Sequence, residues 1–337
     1  MQVYDQTRAP CESALTPEQL KKFETFVADV TAHDGTSPFS EQTLVILRRC
    51  AQDDTGVARL FTVTDDCGQI LGAWVVVTPT QESPGIIEGA AHPAQRGCGI
   101  ASQITDFIFT KVLTQNDLAQ YTAWVHQVQK DDDGSLQDIA AYLTKKHGLA
   151  PVRELHKMAL ELTDDSVHTI RVAHENTQLP PGVTLRTFAG DSEELAWLTL
   201  NAAAFADHPE QGKLTRDDLT ERINSNWYQA EGFFIAEAPN GLAGYHWTKI
   251  PVPAAESPEG EVYAVGVSPA WQGKKLGKAL TLAGIDYLTR ASAPTGEKLS
   301  RIVLYVDAEN LPAMGLYRSL GFTDLSVDRM YERPKSP

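Results

Sequence analysis

The stretch GEVYAVGVSPAWQGKKLGK, residues 260–278, decides the fold. Alternating apolar residues up to Val267 predict a β-strand, which Ser268 and Pro269 end because proline cannot donate to a strand ladder. The glycine-containing loop QGKKLG at residues 272–277 comes next, and the apolar periodicity after it predicts a helix. A loop between a strand and a helix N-terminus presents free backbone N–H groups to an anion. The stretch therefore predicts a phosphate or pyrophosphate site.

A second copy of this arrangement lies earlier in the chain. A short strand-like run and a proline lead into RGCGIA at residues 96–101, and an apolar helix pattern follows. This loop begins 176 residues before Gln272. Near the ends of the two halves, Gly148 precedes Gly321 by 173 residues, and each glycine sits in a similar pattern. Two landmarks with nearly the same offset indicate a tandem duplication of roughly 170 residues.

Composition argues against several classes of partner. The net charge of −15 over 337 residues is unsuited to nucleic acid or an anionic membrane, because both need a basic face. The four cysteines form no C-x-x-C motif, and the first ten residues show no signal-peptide pattern. Asp207, His208 and Glu210 crowd one loop, but no second ligand group has metal-binding spacing. We therefore expect a cytoplasmic protein that binds no nucleic acid, membrane or metal. We also expect a monomer, although no feature of the composition determines the oligomeric state.

The two loops resemble the Q/R-x-x-G-x-G/A loop of the GCN5-related N-acetyltransferases (GNAT), which holds the pyrophosphate of acetyl-coenzyme A. Residues 96–101 match the pattern in full, whereas Lys275 replaces its middle glycine in the second loop. The resemblance implies an α/β (α+β) fold of two tandem GNAT domains. Each would be a mixed, mostly antiparallel, splayed sheet flanked by helices. We place the domains at residues 1–165 and 180–337, with a polar linker around residues 163–182.

The two halves differ where catalysis would occur. Aligned on their shared proline, Gly85 of the first half stands opposite Glu261; aligned on their shared glycine, Thr144 stands opposite Tyr317. Acetyl transfer to an amine requires that the ammonium lose a proton and that the departing thiolate meet one. We predict that Glu261 accepts the first proton, through water. Tyr317 lies in a segment that resembles the family's N-x-x-A-x-x-x-Y-x-x-x-G-F helix, and we predict that it donates the second.

The resemblance also implies which residues contact acetyl-coenzyme A. In the second half, backbone N–H groups where the strand splays would hold the oxyanion, and the loop and the start of a later helix would hold the coenzyme. These residues are Val265, Gly266, Val267, Gln272, Gly273, Lys274, Lys275, Leu276, Gly277, Lys278, Asn310, Leu311, Pro312, Ala313, Met314 and Gly315. In the first half, which we predict binds acetyl-coenzyme A without turnover, they are Gly89, Ala90, Ala91, Gly97, Cys98, Gly99, Ile100, Ala101 and Ser102. The alternative for the first half is a retained fold without a ligand.

The acceptor implied by the resemblance is a small-molecule thiol pseudo-disaccharide that carries many hydroxyls and one cationic amine. Carboxylates and a lysine suit hydroxyls, and a carboxylate also suits the amine. The acceptor contacts then fall on Glu41, Glu210, Lys249, Glu261 and Tyr305. Two other functions stay open: a tandem acetyltransferase for an aminoglycoside or a peptide amine, and a non-catalytic acyl-coenzyme A sensor.

Overall fold

The computed structural model describes residues 11–13, 15–53, 56–81, 83–113, 120–126, 138–206, 211–251 and 258–334. The helices in these ranges are α1 (Pro17–Asp34), α2 (Glu41–Asp53), α3 (Ile100–Phe107), α4 (Asp138–His147), α5 (Asp164–Glu175), α6 (Glu194–Ala204), α7 (Arg216–Ile223), α8 (Leu276–Arg290) and α9 (Leu311–Ser319). The strands are β1 (Cys11–Ser13), β2 (Ala58–Thr64), β3 (Ile70–Val77), β4 (Gly85–Ala91), β5 (Tyr121–Val125), β6 (Ala150–Glu161), β7 (Thr184–Thr187), β8 (Phe233–Ala238), β9 (Gly241–Lys249), β10 (Glu259–Val267), β11 (Arg301–Asp307) and β12 (Thr323–Glu332).

The chain divides into two compact units, and the first contains residues 1–155 and 326–337. Its strands lie in the order β1-β2-β3-β4-β5-β12, antiparallel except for the parallel pair β4–β5. Helix α1 begins at the predicted cap, because the side chain of Thr16 accepts a hydrogen bond from the backbone of Gln19. Phe23 and Phe26 of α1 pack with β2 and β3 residues in one apolar cluster, and α3 contributes to a second.

The second unit contains residues 156–325. Its strands lie in the order β6-β11-β10-β9-β8-β7, and here too the pair β10–β11 is parallel whereas the pairs from β10 to β7 are antiparallel. One apolar cluster joins α8, α9 and β11, and another joins α6 to β8 and β9 around the fully buried Trp197 and Trp247. Both units thus confirm the predicted fold, a mostly antiparallel sheet flanked by helices.

The unit boundaries differ from the predicted ones because the last strand of each half extends into the other unit: residues 156–161 of β6 lie in the second unit, and residues 326–332 of β12 lie in the first. Residues Arg329–Glu332 of β12 pair with β5 of the first unit. Met158 and Leu160 of β6 pack in the core of the second unit beside Tyr317. The repeat correctly relates β6 to β12, but matching patterns cannot show which sheet each strand joins.

The predicted polar linker contains a helix. Thr163 and Ser166 form a capping box that starts α5, and the fully buried Ile170 anchors it. His174 near its end lies 3.3 Å from a carboxylate oxygen of Asp286 on α8.

Within the described part of the chain, no helix is long and apolar enough to cross a membrane.

Candidate active site

The two anion loops have the same backbone conformation. Gly97 and Gly99 of the first loop have φ of 75° and 80°, and Gly273 and Lys275 of the second have φ of 74° and 65°. A short 3-10 turn precedes each loop, and a helix, α3 or α8, follows directly. No side chain caps the N-terminus of either helix, so the first backbone N–H groups are open to an anion. Both loops therefore share one geometry, including the one with lysine in place of glycine, and an anion site at each stays a prediction.

Each sheet also splays next to its loop. Strand β4 pairs with β5 only over residues 85–87, and β10 pairs with β11 only over residues 259–262. From Ala264 to Val267, β10 keeps β9 as its neighbour. Alternate residues of an antiparallel strand direct their N–H and C=O groups away from that neighbour. Some of these groups along residues 264–267 therefore face the gap that β11 has left, where the oxyanion contacts at Val265, Gly266 and Val267 are predicted.

A cavity of about 990 Å³ occupies the first unit. Most of the first-half residues predicted to contact the coenzyme line it: Gly89, Ala90, Ala91, Gly97, Gly99, Ile100, Ala101 and Ser102. Cys98 is half-buried and is not part of this lining. The cavity thus extends from the anion loop to the splay, as a site for an elongated phosphorylated ligand would.

Arg96, the first residue of the first loop, has an unexpected partner. Its guanidinium donates two hydrogen bonds to the carboxylate of Asp34 at the end of α1. Burial alone would raise the pKa of Asp34, but the hydrogen bonds from Arg96 and His33 outweigh it and lower that pKa. Sequence reasoning missed this pair, because nothing in the pattern relates two residues so far apart.

Glu261 lies on β10 immediately before the splay. Its direct strand neighbours are Lys249 on β9 and Val303 on β11. The side chain of Glu261 is half-buried, and a bulge at Tyr263 follows within the same strand. The ammonium of Lys249 lies 5.0 Å from the ring of Trp227 and 5.2 Å from that of Tyr263, both cation–π distances. The structure thus places two of the predicted acceptor residues side by side.

The remaining acceptor residues are distributed as follows. Tyr305 lies two residues after Val303, so strand alternation puts it on the same face of β11. Glu41 is the first residue of α2 in the first unit. Glu210 lies outside the described residues, as do Asp207 and His208. Lys249, Glu261 and Tyr305 therefore form the part of the predicted acceptor set that lies together in the second unit.

Tyr317 lies on α9 within the core cluster of the second unit. It is 8 % exposed, and its ring centroid is 5.8 Å from that of Phe322. Burial raises the pKa of Tyr317 to about 12, so the phenol keeps its proton at neutral pH. Transfer of that proton to a free thiolate of pKa about 8.5 would be uphill by roughly 5 kcal/mol. The raised pKa therefore changes the predicted role of Tyr317 from proton donor to hydrogen-bond donor.

The start of α9 contains the last set of predicted coenzyme contacts. Asn310 caps the helix, since its side chain accepts a hydrogen bond from the backbone of Ala313. Leu311, Pro312 and Gly315 are exposed, whereas the side chain of Met314 is buried in the core. The side chain of Leu276 in the second loop is buried too. These two residues can thus offer a ligand only their backbone.

The structure holds no candidate metal centre in the ranges that it describes: histidine, cysteine and carboxylate side chains form no group of three or more suited to an ion.

Known proteins with similar sequences are acetyltransferases. Residues 197–322 fit the family model described as Acetyltransferase (GNAT) family. A mycothiol acetyltransferase of Rothia mucilaginosa (strain DY-18) is 42% identical over 327 residues, which are 95% of this chain and 91% of that protein. The chain belongs to the mycothiol acetyltransferase family. Another mycothiol acetyltransferase, from Arthrobacter sp. (strain FB24), is 38% identical over 93% of this chain and 92% of its own length. Membership in the mycothiol acetyltransferase family confirms the predicted enzyme class.

Solved structures show the same fold over nearly the whole chain. A tandem GNAT protein from the clavulanic acid biosynthesis pathway has a TM-score of 0.67 at 17% identity, with 97% of this chain and 99% of that chain covered. A GCN5-related N-acetyltransferase from Sphaerobacter thermophilus has a TM-score of 0.60 at 20% identity, with 99% of this chain and 98% of that chain covered. At such low identity the likeness concerns the fold alone, and it agrees with the predicted tandem build.

Proposed function

We propose that this chain transfers the acetyl group of acetyl-coenzyme A to the cysteine amino group of cysteinyl-glucosaminyl-inositol, the last step of mycothiol biosynthesis. The name of its family supports the product. The observation that carries the assignment to the second half is the position of Glu261. Its half-buried carboxylate stands beside Lys249 and directly before the splay, whereas the repeat counterpart in the first half is Gly85.

The second anion loop fits the phosphate end of the coenzyme. Lys275 adopts the conformation of a loop glycine, the α8 N-terminus has no side-chain cap, and Lys274, Lys275 and Lys278 are exposed around it. The exposed start of α9 supports the predicted contacts of residues 310–315 with the coenzyme. The coenzyme supplies an activated acetyl thioester when bound.

Different residues of the chain then accept the proton, stabilise the oxyanion, meet the departing sulfur and bind the acceptor. Glu261 accepts a proton from the acceptor ammonium, through water, because only the neutral amine attacks a carbonyl carbon. Backbone N–H groups around Val265–Val267 hold the oxyanion. Tyr317 donates a hydrogen bond to the sulfur as the thiolate leaves, which its raised pKa permits. Lys249 and Tyr305 bind acceptor hydroxyls.

For the first half we propose acetyl-coenzyme A binding without turnover. The large cavity and the well-formed loop support binding. Gly85 and Thr144, at the repeat positions of Glu261 and Tyr317, supply neither a carboxylate nor a phenol. We further propose that the protein acts as a cytoplasmic monomer on this small-molecule acceptor, without a nucleic-acid or membrane partner. The net charge of −15 supports the absence of those two partners.

One assay tests the proposed function. The purified protein is mixed with acetyl-coenzyme A and a panel of amines, and thioester loss and product mass are followed. We expect an N-acetylated product from cysteinyl-glucosaminyl-inositol. A product from an aminoglycoside or a peptide amine alone would make the chain a different tandem acetyltransferase. If no amine were acetylated while acetyl-coenzyme A still bound, the chain would be an acyl-coenzyme A sensor.

A further inference from the structure

A buried lysine lies next to the acceptor residues of the second unit. Lys157, on β6, is only 4 % exposed. Its ammonium nitrogen lies 3.7 Å from a carboxylate oxygen of Glu259 and 6.0 Å from the centroid of the Tyr305 ring. A buried ammonium is unfavourable unless nearby charges and dipoles compensate for lost water. The position of this lysine therefore requires an explanation that its sequence context does not supply.

Its side-chain contacts put Lys157 on the face of the sheet that carries Glu261. Glu259 precedes Glu261 by two residues on β10, so the two side chains share a face. Glu259 pairs with Arg301 on β11, and Tyr305 follows Arg301 by four residues on that same face. Since Lys157 contacts both Glu259 and Tyr305, it belongs to the same polar surface.

Glu259 has a second cationic partner besides Lys157. Arg301 already donates a hydrogen bond to Glu259, with a nitrogen–oxygen distance of 2.5 Å. Tyr305, in contrast, is exposed: 39 % of its surface faces solvent, so few neighbours fix the position of its ring. A cation fixed near its ring restricts where that ring lies, and such a contact is favourable when the cation is already desolvated.

We propose that Lys157 is a positioning residue for the acceptor: it holds the ring of Tyr305 so that the phenol meets a hydroxyl of the polyol. This inference rests on the proposed function and extends it by one strand, because β6 then contributes to acceptor recognition. The proposed role of Lys157 is in acceptor binding, and it includes neither proton transfer nor coenzyme binding.

The test compares the wild-type chain with Lys157→Met and Lys157→Arg in steady-state kinetics. Methionine matches the length of the lysine stem without a charge, and Glu259 keeps its partner Arg301. We expect the KM for the acceptor to rise between about 3- and 30-fold, the range that a cation–π contact supplies. The KM for acetyl-coenzyme A, kcat and the melting temperature should stay near wild type. Arginine should restore most of the acceptor KM.

A double-variant cycle with Tyr305→Ala separates positioning from other roles. If Lys157 acts through Tyr305, the variant Lys157→Met/Tyr305→Ala has the acceptor KM of Tyr305→Ala alone. Additive effects, an unchanged acceptor KM, or a matching rise in both KM values would overturn the inference. Should Lys157→Met not fold, Lys157→Gln is measured in the same cycle. A wild-type chain that acetylates no amine would instead refute the proposed function, so the two failures are distinguishable.

Discussion

Lys275 and Gly99 occupy the same left-handed backbone conformation, at φ of 65° and 80°, at equivalent positions of the two anion loops. Lys275 is the one residue other than glycine with positive φ in the described part of the chain. The loop therefore requires this conformation whichever residue supplies it. The first copy has glycine at this position, which adopts the conformation without strain. The second has lysine, whose Cβ makes the conformation strained but whose ammonium adds a positive charge beside the anion site.

Substitutions at these two positions should have different effects on stability. Gly99→Ala adds a Cβ that meets no atom within 4 Å, so its penalty of about 1 kcal/mol comes from the backbone alone. Lys275→Gly relieves a similar strain but gains flexibility when unfolded, so we expect a change within about 0.5 kcal/mol of zero. Calorimetry and urea unfolding measure both. A neutral Gly99→Ala, or a large loss for Lys275→Gly, would contradict a shared loop geometry.

Gly284 on α8 is predicted to be intolerant of any side chain. A Cβ there would lie 2.1 Å from Cε1 of His246, which is fully buried on β9 and donates through Nδ1 to the backbone of Leu280. Gly284→Ala should destabilise the second unit by about 1–3 kcal/mol through overpacking. Gly315→Ala is the matched control, because Gly315 lies on the exposed side of α9, where a Cβ meets nothing and should stabilise by about 0.5–1 kcal/mol. Similar unfolding midpoints for the two variants would show that His246 is not tightly packed.

The sequence predicts the repeated elements well, because hydrophobic periodicity and the strand–loop–helix order are local features. Which sheet β6 and β12 join, in contrast, does not depend on local features. Both strands have the same pattern, and only the pairing of residues 329–332 with β5 shows that the last strand joins the first sheet.

In the candidate site too, residues near a local motif could be predicted from the sequence, and residues placed by long-range contacts could not. Glu261 and Tyr317 were predicted from their spacing to the loop and to Gly321, and the structure places them beside the splay and within the core. Asp34 and Lys157 were not, because long-range contacts with Arg96 and Tyr305 bring them to their sites.

The pH dependence of stability should reflect His126 in the first unit. Burial alone would lower the pKa of His126, but its hydrogen bond to Asp328 and the nearby charge of Glu88 raise that pKa to about 10. A pKa above the unfolded value of about 6.5 means that the stabilisation is complete below pH 6.5. It is lost as the pH rises from there through 10.

Asp328→Asn tests this assignment, since the amide keeps the shape of the side chain but removes a charge next to His126. The fall in unfolding free energy between pH 7 and 9.5 should be shallower in the variant than in wild type. Equal slopes in urea unfolding would contradict the role of His126.

Tyr317→Phe should lower kcat by about 10- to 100-fold, because the departing sulfur loses a hydrogen-bond donor. The pKa of Tyr317 is about 12, so the phenol stays protonated from pH 6 to 10 and the penalty should be constant over that range. Steady-state rates at several pH values check this, with Thr144→Val, at the repeat position in the first half, as control. A penalty that disappeared at high pH would indicate that Tyr317 titrates in that range.

The central claim is that Glu261 accepts the proton of the acceptor amine, and the most direct test is the pH profile of Glu261→Gln. The measured quantity is kcat/KM for cysteinyl-glucosaminyl-inositol, wild type over variant, between pH 6.5 and 9.5. A general base contributes about 10²- to 10⁴-fold, so the ratio should be at least 100 at the low end. It should shrink as the pH passes the amine pKa of about 8, because the acceptor is then already neutral. A ratio that is constant across this range would contradict the account and make Glu261 a binding residue only.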